Sequence, residues 1–115
     1  MPNTDRAAET RLATYGSLSP GEVNHNQLSS LSGRWLKGTV RGFLQNAGWG
    51  SSMRFPGLTL DPTGPEVSVN VFESADLPQH WSRLDEFEGP EYRRVVTEVE
   101  TAGGIVKANI YVVAR

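Results

Sequence analysis

Apolar and polar residues alternate over several short segments of the chain, which is the pattern of strands with one buried face. The alternation is strictest from Val67 to Phe72, where every second residue is apolar. Thr101-Ala102-Gly103-Gly104 has the composition of a tight hairpin turn between two β-rich segments. The pattern therefore predicts strands over residues 11–15, 35–44, 67–72, 92–100 and 105–113.

The segments between these strands indicate how the sheet is shaped. Gly38 and Gly42 lie inside the second predicted strand, and glycine within a strand is typical of a bend or bulge in a curved sheet. Residues 46–58 are rich in Gly and Ser and are predicted to form a long loop, while residues 24–31 could form a short helix. Several strands with one good helix in non-alternating order predict an α+β fold with a curled sheet.

The strongest helix prediction covers the segment that ends at about Glu88. Asp76 can cap its start, and Pro78 would stand in the first turn, where a missing N–H group has no intrahelical partner to lose. Gly89-Pro90 is a typical stop signal. We therefore expect a helix between Asp76 and Gly89.

One face of this helix carries an acidic residue among apolar ones. Leu77, Trp81, Leu84 and Glu88 follow the spacing i, i+4, i+7, i+11, which forms one helical stripe. Four acids crowd the C-terminal end of the helix: Asp85, Glu86, Glu88 and Glu91. A helix dipole disfavours anions there, and both mutual repulsion and burial raise the pKa of a carboxyl group. Glu88 is therefore the candidate catalytic acid and base.

Glu88 could also have a non-catalytic role. Its side chain could turn into solvent or form an ion pair with Arg93 or Arg94, which would keep the carboxyl acidic. Asp85 and Glu86 are interpreted as a cap partner and part of a solvated face. A glycosidase with Asp85 and Glu88 as its paired acids is a further alternative, which the distance between the carboxyl groups would test.

A second candidate element follows the first predicted strand. Tyr15-Gly16-Ser17-Leu18 ends that strand in a turn, and such a turn can present successive backbone N–H groups to an anion or a developing oxyanion. The alternative is a simple turn without a ligand. A serine hydrolase is not indicated, because Ser17 lacks the Gly-x-Ser-x-Gly arrangement and the chain has only two histidines.

The composition limits which binding partners and which cellular compartment we expect. The 115 residues suit one domain, and we expect a flexible tail over residues 1–10 and a single domain over residues 11–115. The net charge of −2 gives no reason to expect nucleic acid or a membrane as partner. The chain has no cysteine, no ligand cluster for a metal and no cofactor motif. We expect no signal peptide, because residues 1–6 lack the apolar core of one. We expect a cytoplasmic protein of bacterial type, and the oligomeric state stays open.

Two motifs in this order resemble the γ-glutamylcyclotransferase-like family. They are Tyr15-Gly16-Ser17-Leu18 and Leu84-Asp85-Glu86-Phe87-Glu88-Gly89, the latter followed by Tyr92-Arg93-Arg94-Val95. Three weaker segments look like family segments as well: Gly38 to Gly42, Phe55-Pro56-Gly57-Leu58, and Asn109-Ile110-Tyr111-Val112. The resemblance extends from Leu12 to Val113.

The resemblance implies a fold, a reaction and a site. The fold is a small curled mixed β-sheet or barrel with a few short helices. The reaction converts a small γ-glutamyl substrate into 5-oxoproline and a free amine, without a cofactor. Glu88 matches the catalytic glutamate and Tyr15, Gly16, Ser17 and Leu18 match the substrate-binding loop, while Tyr111 could add a hydroxyl contact.

Two departures from the family pattern leave the substrate open. Asn70 stands where many members have glycine, and Phe55 replaces a more usual tyrosine. The leaving amine could belong to an amino acid, a lysine side chain, a polyamine or a modified antibiotic. The alternative function is a non-catalytic binding module for small molecules on the same fold.

Overall fold

The computed structural model describes residues 8–15, 28, 31–46, 56–90 and 92–113, without the side chains of residues 45, 46 and 56. Its strands are β1 (Arg11–Thr14), β2 (Arg34–Asn46), β3 (Pro56–Leu60), β4 (Glu66–Glu73), β5 (Tyr92–Thr101) and β6 (Gly104–Val113). A short 3-10 helix (Leu77–Gln79) and the α-helix α1 (Trp81–Glu88) stand between β4 and β5. No helix in these ranges is long and apolar enough to cross a membrane.

The sheet closes into a small barrel. The strand order is β3-β2-β4-β1-β6-β5, and β2 also pairs with β5, so five strands form a ring and β3 extends from the far end of β2. β1 and β6 run parallel, whereas the other pairs are antiparallel. The predicted α+β fold with a curled mixed sheet or barrel is confirmed.

Gly38 lies where the barrel closes. It pairs with Thr101 of β5, and a Cβ atom at this position would lie 2.6 Å from Val99 Cγ1 and 2.8 Å from the Glu100 carbonyl oxygen. Only a residue without a side chain lets β2 approach β5 this closely. The prediction of a curved sheet from this glycine therefore has a direct structural cause.

Alternate residues of the strands build two separate clusters of buried side chains. The first fills the barrel and includes Val40, Val69, Val71, Val99 and Ile110. The second lies between the outer face of the barrel and the helical segment, and it comprises Leu12, Leu28, Phe72, Leu77, Trp81, Leu84 and Tyr111. The second cluster holds α1 against the sheet, because an eight-residue helix is not stable by itself.

The single predicted helix is divided at His80. The 3-10 helix ends there, and His80 is also the residue that precedes α1. The Asp76 carboxylate does not cap the helical segment, because it accepts a hydrogen bond from the Ser32 N–H at 2.9 Å. The apolar stripe survives the break, since Leu77, Trp81 and Leu84 are all buried.

The predicted loop over residues 46–58 was wrong at its end. β3 begins at Pro56 and pairs with β2 from Gly42↔Leu60 to Asn46↔Pro56. Residues 47–55 lie outside the described part of the chain, as does most of the predicted helix over residues 24–31, of which Leu28 is described and buried. The hairpin turn is confirmed, because β5 and β6 pair in register from Thr101↔Gly104 onward.

The last residues of the predicted tail contact the domain. Ala8 is fully buried, its carbonyl oxygen accepts a hydrogen bond from Asn109 Nδ2 at 2.8 Å, and the Glu9 carbonyl oxygen accepts one from Trp81 Nε1 at 3.0 Å. Contacts with the domain therefore extend at least to Ala8. Residues 1–7 lie outside the description, and the division into tail and domain stays a prediction.

Candidate active site

Glu88 is the last residue of α1, and the turn that follows fixes its position. Gly89 has φ 84° and ψ 179°, a backbone conformation that is essentially restricted to glycine. Its N–H donates to the Asp85 carbonyl oxygen at 3.1 Å, and its own carbonyl oxygen accepts from the Tyr92 N–H at 3.3 Å. The chain thus turns directly from Glu88 into β5, and Glu88 stays on the helix face that packs against the barrel.

The Glu88 carboxyl is electrostatically unusual. Burial raises its pKa from 4.5 to about 7. Within the ranges that the structure describes, no hydrogen bond or ion pair engages this side chain, and burial is the cause of the change in pKa. The carboxyl can therefore be protonated or ionised near neutral pH, as a general acid and base requires.

Tyr15 joins three strands next to this site. Its hydroxyl donates to the Tyr111 carbonyl oxygen at 2.6 Å and accepts from the Leu58 N–H at 3.1 Å. Burial raises the pKa of Tyr15 above its ordinary value, and the nearby negative charge of Glu88 raises it further. Tyr15 thus lies within electrostatic reach of Glu88 while its hydroxyl is bound to the protein itself.

Tyr111 presents its hydroxyl to the end of α1. The hydroxyl donates to Asp85 Oδ1 at 2.6 Å. Burial raises the pKa of Tyr111, and the hydrogen bond to Asp85 and the charges of Asp85 and Glu88 raise it as well. Because the Tyr111 O–H is the donor in the hydrogen bond to Asp85, the lone pairs of the phenolic oxygen remain as hydrogen-bond acceptors.

Arg94 completes the arrangement by binding Asp85. Its Nε lies 2.8 Å from Asp85 Oδ1 and its Nη2 lies 3.2 Å from Oδ2, while Nη1 donates to Asn109 Oδ1 at 3.0 Å. The guanidinium also lies over the Trp81 ring, 4.4 Å from its centroid. Burial raises the pKa of Asp85, but the hydrogen bonds from Arg94 and Tyr111 outweigh burial, so that the pKa is lowered overall.

The register of β5 and β6 brings these side chains together. Arg94 and Tyr111 are direct partners across the two strands, so their side chains lie on the same face of the sheet. Asn109 precedes Tyr111 by two residues and shares that face. This is the outer face of the barrel, where α1 packs.

The structure brings three of the predicted site residues together, namely Glu88, Tyr15 and Tyr111. Gly16, Ser17 and Leu18 lie outside the described residues, as does Phe55. The Asp85 carbonyl oxygen accepts the hydrogen bond from the Gly89 N–H at the helix end, but the Asp85 side chain is not a cap, because its carboxylate binds Arg94 and Tyr111. Glu86 is exposed, as expected.

Sequence reasoning missed the cluster around Asp85. It considered Arg94 as a partner of Glu88, whereas Arg94 binds the carboxylate three residues earlier on the same helix. The signal that was present is the alternation of Asn109 and Tyr111 on the last strand, since both polar groups of these residues point to the helix side. Among the residues described, no group of three or more His, Asp or Glu side chains could hold a metal ion.

Comparison with known proteins identifies the family. The family model described as "Gamma-glutamyl cyclotransferase, AIG2-like" matches residues 12–115. The YkqA structure from Bacillus subtilis is 28% identical with a TM-score of 0.71; the match covers 90% of this chain but only 35% of YkqA. An AIG2-like protein from Mus musculus is 24% identical with a TM-score of 0.73, covering 91% of this chain and 77% of that one.

A structure titled gamma-glutamyl cyclotransferase shares the fold at 17% identity, with a TM-score of 0.66 and coverage of 91% of this chain and 66% of that chain. A search of the curated proteins found no match. The family model covers nearly the whole chain, and the solved structures have the same fold. The chain therefore belongs to the gamma-glutamyl cyclotransferase, AIG2-like family.

Proposed function

We propose that the protein is a γ-glutamylcyclotransferase-like enzyme with Glu88 as its general acid and base. In the proposed reaction, the α-amine of a γ-glutamyl substrate attacks its own γ-carbonyl carbon. The new C–N bond closes the ring of 5-oxoproline, and the bond to the leaving amine breaks. Family membership supports the reaction class. The observation that carries the assignment of Glu88 is a largely but not fully buried carboxyl that has no cationic partner among the described residues.

The reaction makes modest demands on the protein. Nucleophile and electrophile belong to one molecule, so the site has to hold the substrate in a folded shape in which the amine reaches the carbonyl. It must also accept a proton from the ammonium group and give one to the leaving amine. An ordinary glutamate would be about four pKa units below an α-ammonium of pKa ~8, whereas a carboxyl with a pKa of about 7 is about one unit below it. The energetic penalty for proton transfer falls from about 5 to about 1.4 kcal/mol.

The neighbouring groups fit complementary roles in this proposal. The phenolic oxygen of Tyr111, whose proton is engaged by Asp85, can accept a hydrogen bond from the substrate ammonium. The Tyr15 hydroxyl is engaged by Leu58 and Tyr111, so Tyr15 contributes by holding the end of β1 against β3 and β6. We propose that the backbone N–H groups of residues 16–18 bind the α-carboxylate or the oxyanion.

Release of 5-oxoproline from a panel of γ-glutamyl amines and γ-glutamyl dipeptides tests the proposal. Glu88→Gln keeps the size of the side chain and removes its proton chemistry, so we expect turnover to fall by at least about 100-fold. Glu86→Gln is the matched control, because Glu86 is a neighbouring but exposed acid of the same helix. We expect this control to keep the wild-type rate.

Three results separate the alternatives. Undiminished turnover in Glu88→Gln would remove Glu88 from the mechanism. Binding of panel members by the wild type without any release of 5-oxoproline would favour the non-catalytic binding module. For an active enzyme, kcat/KM rises with pH through about 7 as the Glu88 base ionises, because only the carboxylate can take the ammonium proton.

A further inference from the structure

Asp85 and Glu88 are two acids close together on the surface of α1. They stand three residues apart, so they are neighbours on the helix surface, with Cβ atoms ~5–6 Å apart. Arg94 binds both carboxylate oxygens of Asp85 through one edge of its guanidinium group, with Nε and Nη2 as the donors. The charges of Asp85, Arg94 and Glu88 all act on the Tyr111 hydroxyl. Arg94 therefore binds the carboxylate of Asp85 on the same short helix that ends at Glu88.

Arg94 is held on Asp85 by contacts on several sides. Asn109 is buried, and because its Nδ2 donates to the Ala8 carbonyl oxygen, its Oδ1 is directed to Arg94 Nη1. Stacking on Trp81 fixes the plane of the guanidinium. The two-fold contact with a carboxylate is the geometry that an arginine side chain matches best. The Asp85 carboxylate is the anionic partner of the Arg94 guanidinium in this set of contacts.

We propose that Asp85 is a positioning residue that keeps the Arg94 guanidinium bound to itself and thereby leaves the Glu88 carboxyl without a cationic partner among the described residues. The effect of this role of Asp85 on turnover rests on the proposed function, but the effect on the protonation of Glu88 does not. Within the described part of the chain, the titratable and charged groups near the end of α1 are Asp85 on α1, Tyr15 after β1, Tyr92 and Arg94 on β5, and Tyr111 on β6. Arg94 is the cation of this set.

The titration of Glu88 can be measured directly and without a substrate. The carboxyl carbon signals of protein labelled with ¹³C at glutamate Cδ are followed by NMR against pH, and the Glu88 signal is assigned by its loss in Glu88→Gln. We expect a midpoint near 7 in the wild type. In Asp85→Asn the Tyr111 hydroxyl keeps an acceptor while Arg94 loses its anionic partner, so we expect the Glu88 midpoint to fall by about one pH unit or more.

Two further variants separate capture by Arg94 from a simple loss of negative charge. Glu86→Gln also removes one acid from α1, but an exposed one, and it should leave the midpoint within about 0.3 pH units of the wild type. In the double variant Asp85→Asn/Arg94→Met, the released cation is gone, so the midpoint should return to within about half a unit of the wild type.

The proposal is overturned if Asp85→Asn leaves the midpoint unchanged, or if the double variant keeps the lowered value. Should Asp85→Asn fail to fold, Asp85→Ser removes the same charge and keeps an acceptor for Tyr111, and the same comparison applies. If the midpoints shift as expected while the wild type releases no 5-oxoproline from any substrate, the proposed function fails and the role of Asp85 stands.

Discussion

Glu88→Gln should stabilise the folded protein at alkaline pH although it removes turnover. The ionised carboxyl of Glu88 is disfavoured by burial, and glutamine has a similar size without a charge. Below pH 4.5 the carboxyl is protonated in both the folded and the unfolded chain, so the substitution has little effect there. Between pH 4.5 and about 7, the unfolded chain releases the proton while the folded protein keeps it, and the contribution of Glu88 to the free energy of unfolding of the wild type falls as pH rises.

The magnitude follows from the difference between the two pKa values. A rise from 4.5 to about 7 corresponds to about 3 kcal/mol, at ~1.36 kcal/mol per pKa unit. The side chain keeps some contact with solvent, and we therefore expect about 2–3 kcal/mol. For 115 residues with an unfolding entropy of ~2.1 cal/mol/K per residue, this stabilisation corresponds to a Tm about 8–12 °C higher than that of the wild type.

Urea unfolding and thermal melting at pH 4.5 and pH 8.5 measure this effect in the wild type, Glu88→Gln and Glu86→Gln. The other carboxyl groups titrate in all three proteins, so their contributions cancel when the difference between the two pH values is compared. Only Glu88→Gln should gain stability relative to the wild type on going to pH 8.5. An equal change with pH in Glu88→Gln and in the wild type would refute the assignment of a buried, protonatable carboxyl to Glu88.

Three further substitutions test the packing that positions the site. Leu84→Ala removes a fully buried side chain between α1 and the barrel and should cost about 2–5 kcal/mol in urea unfolding. Gly89→Ala forces a side chain onto a backbone with φ 84° and should cost about 1–3 kcal/mol, measured in the same way; an unchanged free energy of unfolding would contradict this backbone conformation. Gly38→Ala would place a Cβ atom 2.6 Å from Val99 Cγ1, and an unchanged Tm would contradict the close approach of β2 and β5.

The parts of the fold that depend on local sequence could be predicted. The alternation in β4, the hairpin before Gly104 and the end of α1 at Gly89 each follow from a few adjacent residues. β3 was missed because it is short, begins with Pro56-Gly57 and becomes a strand by pairing with the distal part of β2. The predicted cap was wrong because Asp76 binds Ser32, which is distant in sequence, and no local signal marked the division of the helical segment at His80.

The sequence predicts where one acid of the candidate site lies, but it does not predict the charged groups around that acid. The stripe of Leu77, Trp81 and Leu84 leads to Glu88, and burial of that stripe confirms the face on which Glu88 stands. The sequence does not decide whether Arg94 binds Asp85 or Glu88, because both acids precede it by only a few residues across the turn at Gly89. The register that places Arg94 opposite Tyr111 decides this, and register depends on the closed sheet.

An acid that titrates near neutrality makes the helix that carries it less stable, so the surrounding packing has to compensate. α1 has eight residues, which is too short to persist without tertiary contacts. Leu77 and Leu84 are fully buried, and each contributes about 1.5–3 kcal/mol by burial, which is comparable to the expected cost of an ionised Glu88. The same stripe that excludes water from the carboxyl therefore also stabilises the helix against the charge. A change at Leu84 should weaken both effects, since a cavity at this position lowers stability and admits water toward Glu88.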